Sequence, residues 1–430
     1  MIKQPKPQNV IIFFIRRFND IDHIVPIVYE MARTNKNRLI ILSNNQYLDI
    51  KNDFRLKFLY SEWGVEIDYS YRFFASTFTQ RLIASAICDR GYLNKGSIGG
   101  RLIKNTFGRL ISHYISEDLL KNIFTPKTIA KVMEYNRISI TIFDHAKPEQ
   151  HITGKLLQAT KLLGIQSISV PHGLNLVMDK FLTDRQVKEE IAYDYDHKLG
   201  QFDYVVAQFE FFKKRIVETG FEESKITILG STRYCPEWRK VYLKIAPTSR
   251  DIEVFKHKDK LKVVFMEYSY NYRIQRKTSL ESILNISKLD FVELIVKPHT
   301  RSNRLYADVL GEAGSIAYDI PSVLLCQEAD VVIGTTSSIL LEPLLLGKVL
   351  IYPKYFHENT MRFEQLGACW CVNSYDELQK AIESVWKDRD YKPYDNKNIE
   401  ALETEVILGG KKDRNVLNDY VDFINSKITQ

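Results

Sequence analysis

The segment 329–353 reads ADVVIGTTSSILLEPLLLGKVLIYP. An apolar run, Val331-Val332-Ile333, ends in Gly334 and four small hydroxyl residues. An apolar stretch of helical character follows, then a second run, Val349-Leu350-Ile351. Strand, helix and strand in so short a span predict a βαβ unit, two parallel strands joined by a crossover.

The same alternation extends outward through the chain. Apolar runs predict strands at 9–15, 37–43, 138–143, 165–170, 202–207 and 225–230, with helical patterns between them. A second series runs at 262–267, 292–297, 315–319, 330–334, 348–353 and 369–372. The polar stretch 231–259, with two prolines, breaks the rhythm. The expected class is α/β: two Rossmann-like, doubly wound parallel-sheet domains facing each other across a cleft. The expected division is an N-terminal domain 1–235, a linker 236–260, a C-terminal domain 261–408 and a last helix, 409–430, packing back on one of them.

A chain of 430 residues is too long for one ordinary core. With 45% apolar and 26% charged residues it has the composition of a soluble globular protein. Its apolar runs fall short of the ~18 residues that span a bilayer. The run VIIFFI near the N-terminus is only six long and is expected to be a first strand, not a signal peptide. Five cysteines suggest no disulfide framework and a reducing cytoplasm. Cys369 and Cys371 alternate, so on a strand they share a face; two buried thiols are expected there.

Charge is unevenly placed. Residues 72–131 hold ten Lys or Arg against three acids, an excess equal to the whole net charge of +7. Apolar residues recur there at helical spacing. Such a segment suits the anionic inner surface of the cytoplasmic membrane or a polyanionic acceptor, or is simply a solvated face. No nucleic-acid motif accompanies it.

Three clusters lie at predicted strand ends. Gly334 permits a sharp turn, and Thr335, Thr336, Ser337 and Ser338 cover the start of the next helix. Hydroxyls and free N–H groups there suit a phosphate or diphosphate, or make an ordinary cap. Glu342, one turn further on the same face, is suited to ribose hydroxyls. In VKPHTRS, Lys297, His299 and Arg301 follow a strand and suit a phosphorylated donor, or form a basic surface turn. In the first half, Asp144 ends one strand and His172, followed by Gly173, ends the next. They are candidates to deprotonate an acceptor hydroxyl, although His172 also fits a packing role. No Asp-x-Asp pair directly follows a buried strand, so no metal and no other cofactor is expected. The first strand leads into IRRFND rather than a glycine-rich fingerprint, and there is no Walker loop, which argues against NAD and ATP hydrolysis.

The segment 329–353 resembles the donor-site element of GT-B-fold transferases that build bacterial surface polymers. It is especially similar to CDP-glycerol glycerophosphotransferases and to capsule or lipopolysaccharide transferases using CMP-activated acidic sugars. His172-Gly173, His299 and Ser337-Ser338 match their pattern, and ILGSTRYCPEW (228–238) resembles their Gly-Ser-Pro-Arg stretch. Thr232 stands where that proline would be, and Pro298 precedes His299 instead of following it. The Thr335–Glu342 spacing also resembles the ribose site of UDP-N-acetylglucosamine 2-epimerases. The resemblance implies metal-independent transfer of a sugar such as Kdo from a cytidylate-activated donor to a glycan or lipid-linked glycan. Transfer of a polyol phosphate, epimerase-like chemistry and non-catalytic glycan binding are the alternatives.

Overall fold

The computed structural model describes residues 9–88, 122–145, 150–178, 200–247, 254–268, 274–299, 315–317 and 320–428. Arg301 and the centre of the basic segment lie outside them. The chain divides into two units. The first comprises Met1–Gly173, Asp194–Ala246 and Val406–Gln430; the second comprises Leu174–Tyr193 and Pro247–Glu405.

The first unit holds a parallel sheet of seven strands: β1 (Val10–Ile15), β2 (Arg38–Ser43), β3 (Glu66–Tyr69), β4 (Ile138–Asp144), β5 (Gln166–Val170), β6 (Tyr204–Ala207) and β7 (Ile226–Ile228). Their order is β3-β2-β1-β4-β5-β6-β7. Every residue of β1 is buried, as expected of a central parallel strand covered on both faces. The helix Phe18–Thr34 buries Ile21, Ile24, Val25, Val28 and Met31, spaced three and four apart, so one stripe meets the core. Strand β3 has no counterpart among the expected strands. Its sequence, EIDY, is half exposed at a sheet edge and lacks an apolar run.

The second unit has six parallel strands: β8 (Leu261–Met266), β9 (Val292–Lys297), β10 (Ser315–Ile316), β11 (Val331–Ile333), β12 (Val349–Pro353) and β13 (Trp370–Val372). Their order is β10-β9-β8-β11-β12-β13. Val263 and Phe265 of β8 pack with Ile283 and Ile286 of the helix Arg276–Ser287 and with Ile382 and Val385 of the helix Tyr375–Lys387.

The stretch expected to be a linker opens with a helix, Pro236–Ile245, and the first unit runs on to Ala246. Proline at its first turn fits helix entry, where the missing N–H is not needed. Its single fully buried residue, Trp238, gives too weak a stripe for the period to show. The last helix, Val416–Ser426, belongs to the first unit. Tyr420 Oη donates to the Gly230 carbonyl at 3.1 Å, and Ser231 N donates to the Ile407 carbonyl at 2.8 Å.

Candidate functional site

In the first sheet the order reverses between β1 and β4: β2 and β3 lie to one side and β5 to β7 to the other. The carboxyl ends of strands at such a switch point are the usual ligand crevice of an open α/β sheet. Three strand ends deliver chemistry there. Arg16 follows β1, Asp144 ends β4, and His172 follows β5 by two residues.

Arg16 and Asp144 form a buried ion pair. Arg16 Nε lies 3.0 Å from both Asp144 carboxylate oxygens, and Nη2 adds a further bond to Oδ2. Nη1 reaches Gln150 Oε1. Neither partner meets solvent appreciably, so each charge depends on the other. Asp20, in the first turn of the helix Phe18–Thr34, is also fully buried. Its Oδ2 accepts from the backbone N–H of Arg16 at 2.6 Å and of Arg17 at 2.8 Å. Burial, and then the charge of Asp144, push the Asp20 carboxyl up to about 8. Burial thus favours the protonated form of one carboxyl of this neighbourhood, while the other is paired with a guanidinium.

Histidines crowd the same strand ends. His145 directly follows Asp144, and its ring stands edge-on to that of His172 with centroids 6.0 Å apart. His145 Nε2 bonds the Val206 carbonyl at 3.3 Å. Burial and His172 push His145 down to about 3, so its imidazole is neutral. His23 is buried one turn along the Phe18–Thr34 helix, held well below the usual imidazole range by burial and by the charge of Arg233. His172 is half buried, the member of this group with Asp144 that the sequence picked out.

The backing of this cluster explains the GSTR motif. Thr232 Oγ1 donates to the His23 carbonyl at 2.7 Å, and Arg233 Nη1 pairs with Asp22 at 2.9 Å. Asp22 also pairs with Arg55, which is held in turn by Asp53. The motif therefore ties down the helix that carries Asp20.

In the second unit the candidate donor residues again sit at strand ends. Glu267 follows β8 and is buried; its Oε2 accepts from His299 N at 2.9 Å, and its own N donates to the Lys297 carbonyl at 2.9 Å. Lys297 Nζ donates to the Ala317 carbonyl at 3.0 Å. Glu267 thus fixes the turn that presents His299. The hydroxyl loop differs from expectation. Ser337 caps a 3₁₀ turn, Ser338–Leu340, and a helix of only five residues, Leu341–Leu345, follows. Gly334 leaves room for Leu340: a Cβ there would lie 2.6 Å from Leu340 Cδ2, so that side chain would have to shift. Thr335 is buried, its Oγ1 without a hydrogen-bond partner among the described residues, while Thr336, Ser337 and Ser338 are half buried. Glu342, in the short helix, is buried.

Sequence reasoning missed Arg16, Asp20, His23, His145 and Glu267. The signal for Arg16 was present: IRRFND places charge directly after a fully buried strand. Burial of Asp20 and His23 inside an amphipathic helix leaves no comparable mark.

No family model matches the chain, and no curated protein matches it. Solved structures do. A putative UDP-N-acetylglucosamine 2-epimerase from Listeria monocytogenes aligns over 98% of this chain and 96% of its own, at TM-score 0.56 and 12% identity. A UDP-GlcNAc 2-epimerase from Neisseria meningitidis, bound to UDP-GlcNAc, covers 98% and 100% at 0.56 and 12%. A glycosyltransferase from Rickettsia africae covers 98% and 99% at 0.53 and 14%. Two parallel-sheet units and these neighbours define the fold as the two-Rossmann GT-B type.

Proposed function

We propose that this chain is an enzyme acting on a nucleotide-activated sugar, with its acid–base chemistry in the first unit. The observation that carries the reading is the cluster at the switch point of the first sheet. It brings the Arg16–Asp144 pair, the buried Asp20 and the half-buried His172 to adjacent strand ends. Asp144 is engaged by Arg16, whereas His172 is half buried at the next strand end; His172 is taken as the proton-transferring group, with the Arg16–Asp144 pair beside it. In the second unit Lys297 and His299 would balance the phosphates, Ser337 and Ser338 would bond them, and Glu342 would take the ribose. No step in this scheme needs a metal.

Two reactions fit that arrangement. The names of the neighbours favour epimerase-like turnover of a UDP-sugar, which needs no acceptor. The sequence elements PHG, GSTR and TTSSILLE favour transfer from a CMP-linked acidic sugar to a surface glycan at the inner membrane face. The epimerase-like reading comes first. The test is incubation of the chain with UDP-N-acetylglucosamine and with a CMP-linked acidic sugar, without and then with glycan acceptor, products followed by NMR. Inversion at the sugar C2 without acceptor supports epimerisation. Nucleotide release that depends on acceptor supports transfer. Nucleotide-sugar binding with no turnover under any condition, or no binding at all, overturns the proposal. His172→Ala should lower whichever turnover is found by at least ~10²-fold, the lower end of general acid–base effects.

A further inference from the structure

Strand β13 ends the second sheet, paired on one side only with β12, where Tyr352 stands opposite Cys371. Cys369 and Cys371 flank Trp370, so the two thiols fall on one face and the indole on the other. Trp370 packs edge-on to Tyr391, ring centroids 5.5 Å apart. On the thiol face Cys369 Sγ and Cys371 Sγ stand 3.7 Å apart. Cys369 is buried and Cys371 is exposed, which corrects the expectation of two buried thiols.

We propose that Cys369 and Cys371 are a reversible dithiol–disulfide couple, oxidised by low-molecular-weight disulfides. The geometry has the three features such a couple needs. One sulfur is open to attack. The second lies 3.7 Å from the first, and Cys369 stands in a bend just before the edge strand, so closing to the ~2.05 Å of a disulfide is by a turn of that bend that draws the two Cβ atoms to within about 4.5 Å. The hydrogen bond between them also divides their roles. It draws the Cys371 thiol below its usual range, and the same bond together with burial pushes Cys369 well above. Cys371, the exposed member, is the attacking thiolate, and Cys369, buried beside it, the resolving thiol.

The exchange balances. Cys371 thiolate attacks one sulfur of the disulfide, forming a mixed disulfide and releasing one thiolate, which takes a proton from solvent. Cys369 gives its proton to solvent and attacks Cys371 Sγ, breaking the mixed disulfide and expelling the second thiolate. The protein loses two electrons and two protons, and the small disulfide becomes two thiols. An exposed bridge between neighbours two apart is of the labile class, not the structural one.

The experiment is equilibration of the full chain in glutathione buffers of graded redox ratio, followed by acid quench, alkylation after denaturation and peptide mass spectrometry. Cys88, Cys235 and Cys326 are buried and serve as internal references. The wild type should accumulate a Cys369–Cys371 link free of glutathione as the buffer becomes oxidising. Cys369→Ser should instead accumulate glutathione on Cys371, and Cys371→Ser should accumulate none on Cys369. Wild-type chain that carries glutathione on Cys371 without the internal link overturns the proposal. So does a wild type in which both thiols stay alkylatable in the most oxidising buffer.

Discussion

Arg16 and Asp144 are bonded to one another across the strands where the first sheet changes direction, and both are sealed from water. The register that places them is set by β1 and β4, which pair Phe14 with Phe143 just before the two charges. Removing one partner leaves the other charge buried and unpaired. Arg16→Met or Asp144→Leu alone should destabilise the first unit by about 3–5 kcal/mol, read from urea unfolding. The double variant should recover much of that loss, because no orphan charge remains. Equal losses in the single and double variants would mean that packing, and not the ion pair, sets the cost.

Asp20 predicts a pH dependence whose sign is fixed by its environment. Its carboxyl titrates near 8 when folded, against 3.8 for the ordinary group. Between those values the folded chain binds a proton that the unfolded chain does not, so this contribution falls as pH rises. It is fully present below about 3.8 and lost on passing about 8. The slope for one proton is at most about 1.4 kcal/mol per pH unit. His23 and His145, held neutral by burial, act oppositely and cost stability as pH falls. The comparison is therefore between wild type and Asp20→Asn, which keeps an oxygen for the Arg16 and Arg17 N–H groups. Wild type should lose stability relative to the variant from pH 5 to pH 8. Parallel stability profiles would show that Asp20 is ionised in the folded state.

Gly230, in the GSTR stretch, cannot carry a side chain. Its φ is +87°, and a Cβ would stand 2.3 Å from the Ile407 carbonyl oxygen, which is backbone and already accepts from Ser231 N. Gly230→Ala should cost about 2–5 kcal/mol, the sum of left-handed strain and overpacking. Gly64→Ala is the control: φ is +64° but nothing lies within 4 Å, so about 1–2 kcal/mol is expected. Thermal unfolding of both variants separates strain from collision.

The hydroxyl loop at 335–338 precedes a helix of only five residues, too short for a strong macrodipole. Any phosphate held there rests on hydroxyls and backbone N–H groups. Ser337 Oγ accepts from Ile339 N at 3.4 Å, a weak cap. Ser337→Ala with Ser338→Ala should therefore cost no more than about 1 kcal/mol of stability. It should also weaken UDP or CMP binding about tenfold or more, measured by titration calorimetry. Unchanged nucleotide affinity would leave the loop a cap and nothing else.

The strands were legible because buried parallel strands read as continuous apolar runs, as in VIIFFI and DVVIG. The exception, EIDY, is a half-exposed edge strand and carries no such run. Asp144 was legible for a similar reason, closing the buried strand ISITIFD, while His172 was legible from the PHG turn just after β5. Asp20 and His23 were not, because their significance comes from burial against other elements. The pairing of Arg16 with Asp144 spans 128 residues of sequence and depends on strand order. The helix after Ser337 is short although leucines continue past Pro343, because the backbone turns toward β12 at Gly347.

The basic segment 72–131 leads to a surface prediction that its described residues sharpen. On the helix Phe78–Cys88, Phe78 is 82% exposed and Leu82 is 62% exposed, one turn apart on the same face. Arg81, also exposed, stands between them in sequence. Among the described residues no helix is long and apolar enough to cross a membrane. Two exposed apolar side chains beside basic charge suit the headgroup boundary of an anionic bilayer. The full chain should co-sediment with vesicles containing anionic phospholipid at low salt, and binding should fall as salt screens the charge. What remains at high salt should come from Phe78 and Leu82. Inserting each contributes roughly 1.5–3 kcal/mol, so Phe78→Ser with Leu82→Ser should lower that residual affinity at least about tenfold. Exposed substitutions of this kind change stability by only about 0.5 kcal/mol, so the loss would not reflect unfolding. Equal partitioning into neutral and anionic vesicles at low salt would remove the electrostatic part of the argument. An unaltered affinity in the double variant would remove the apolar part.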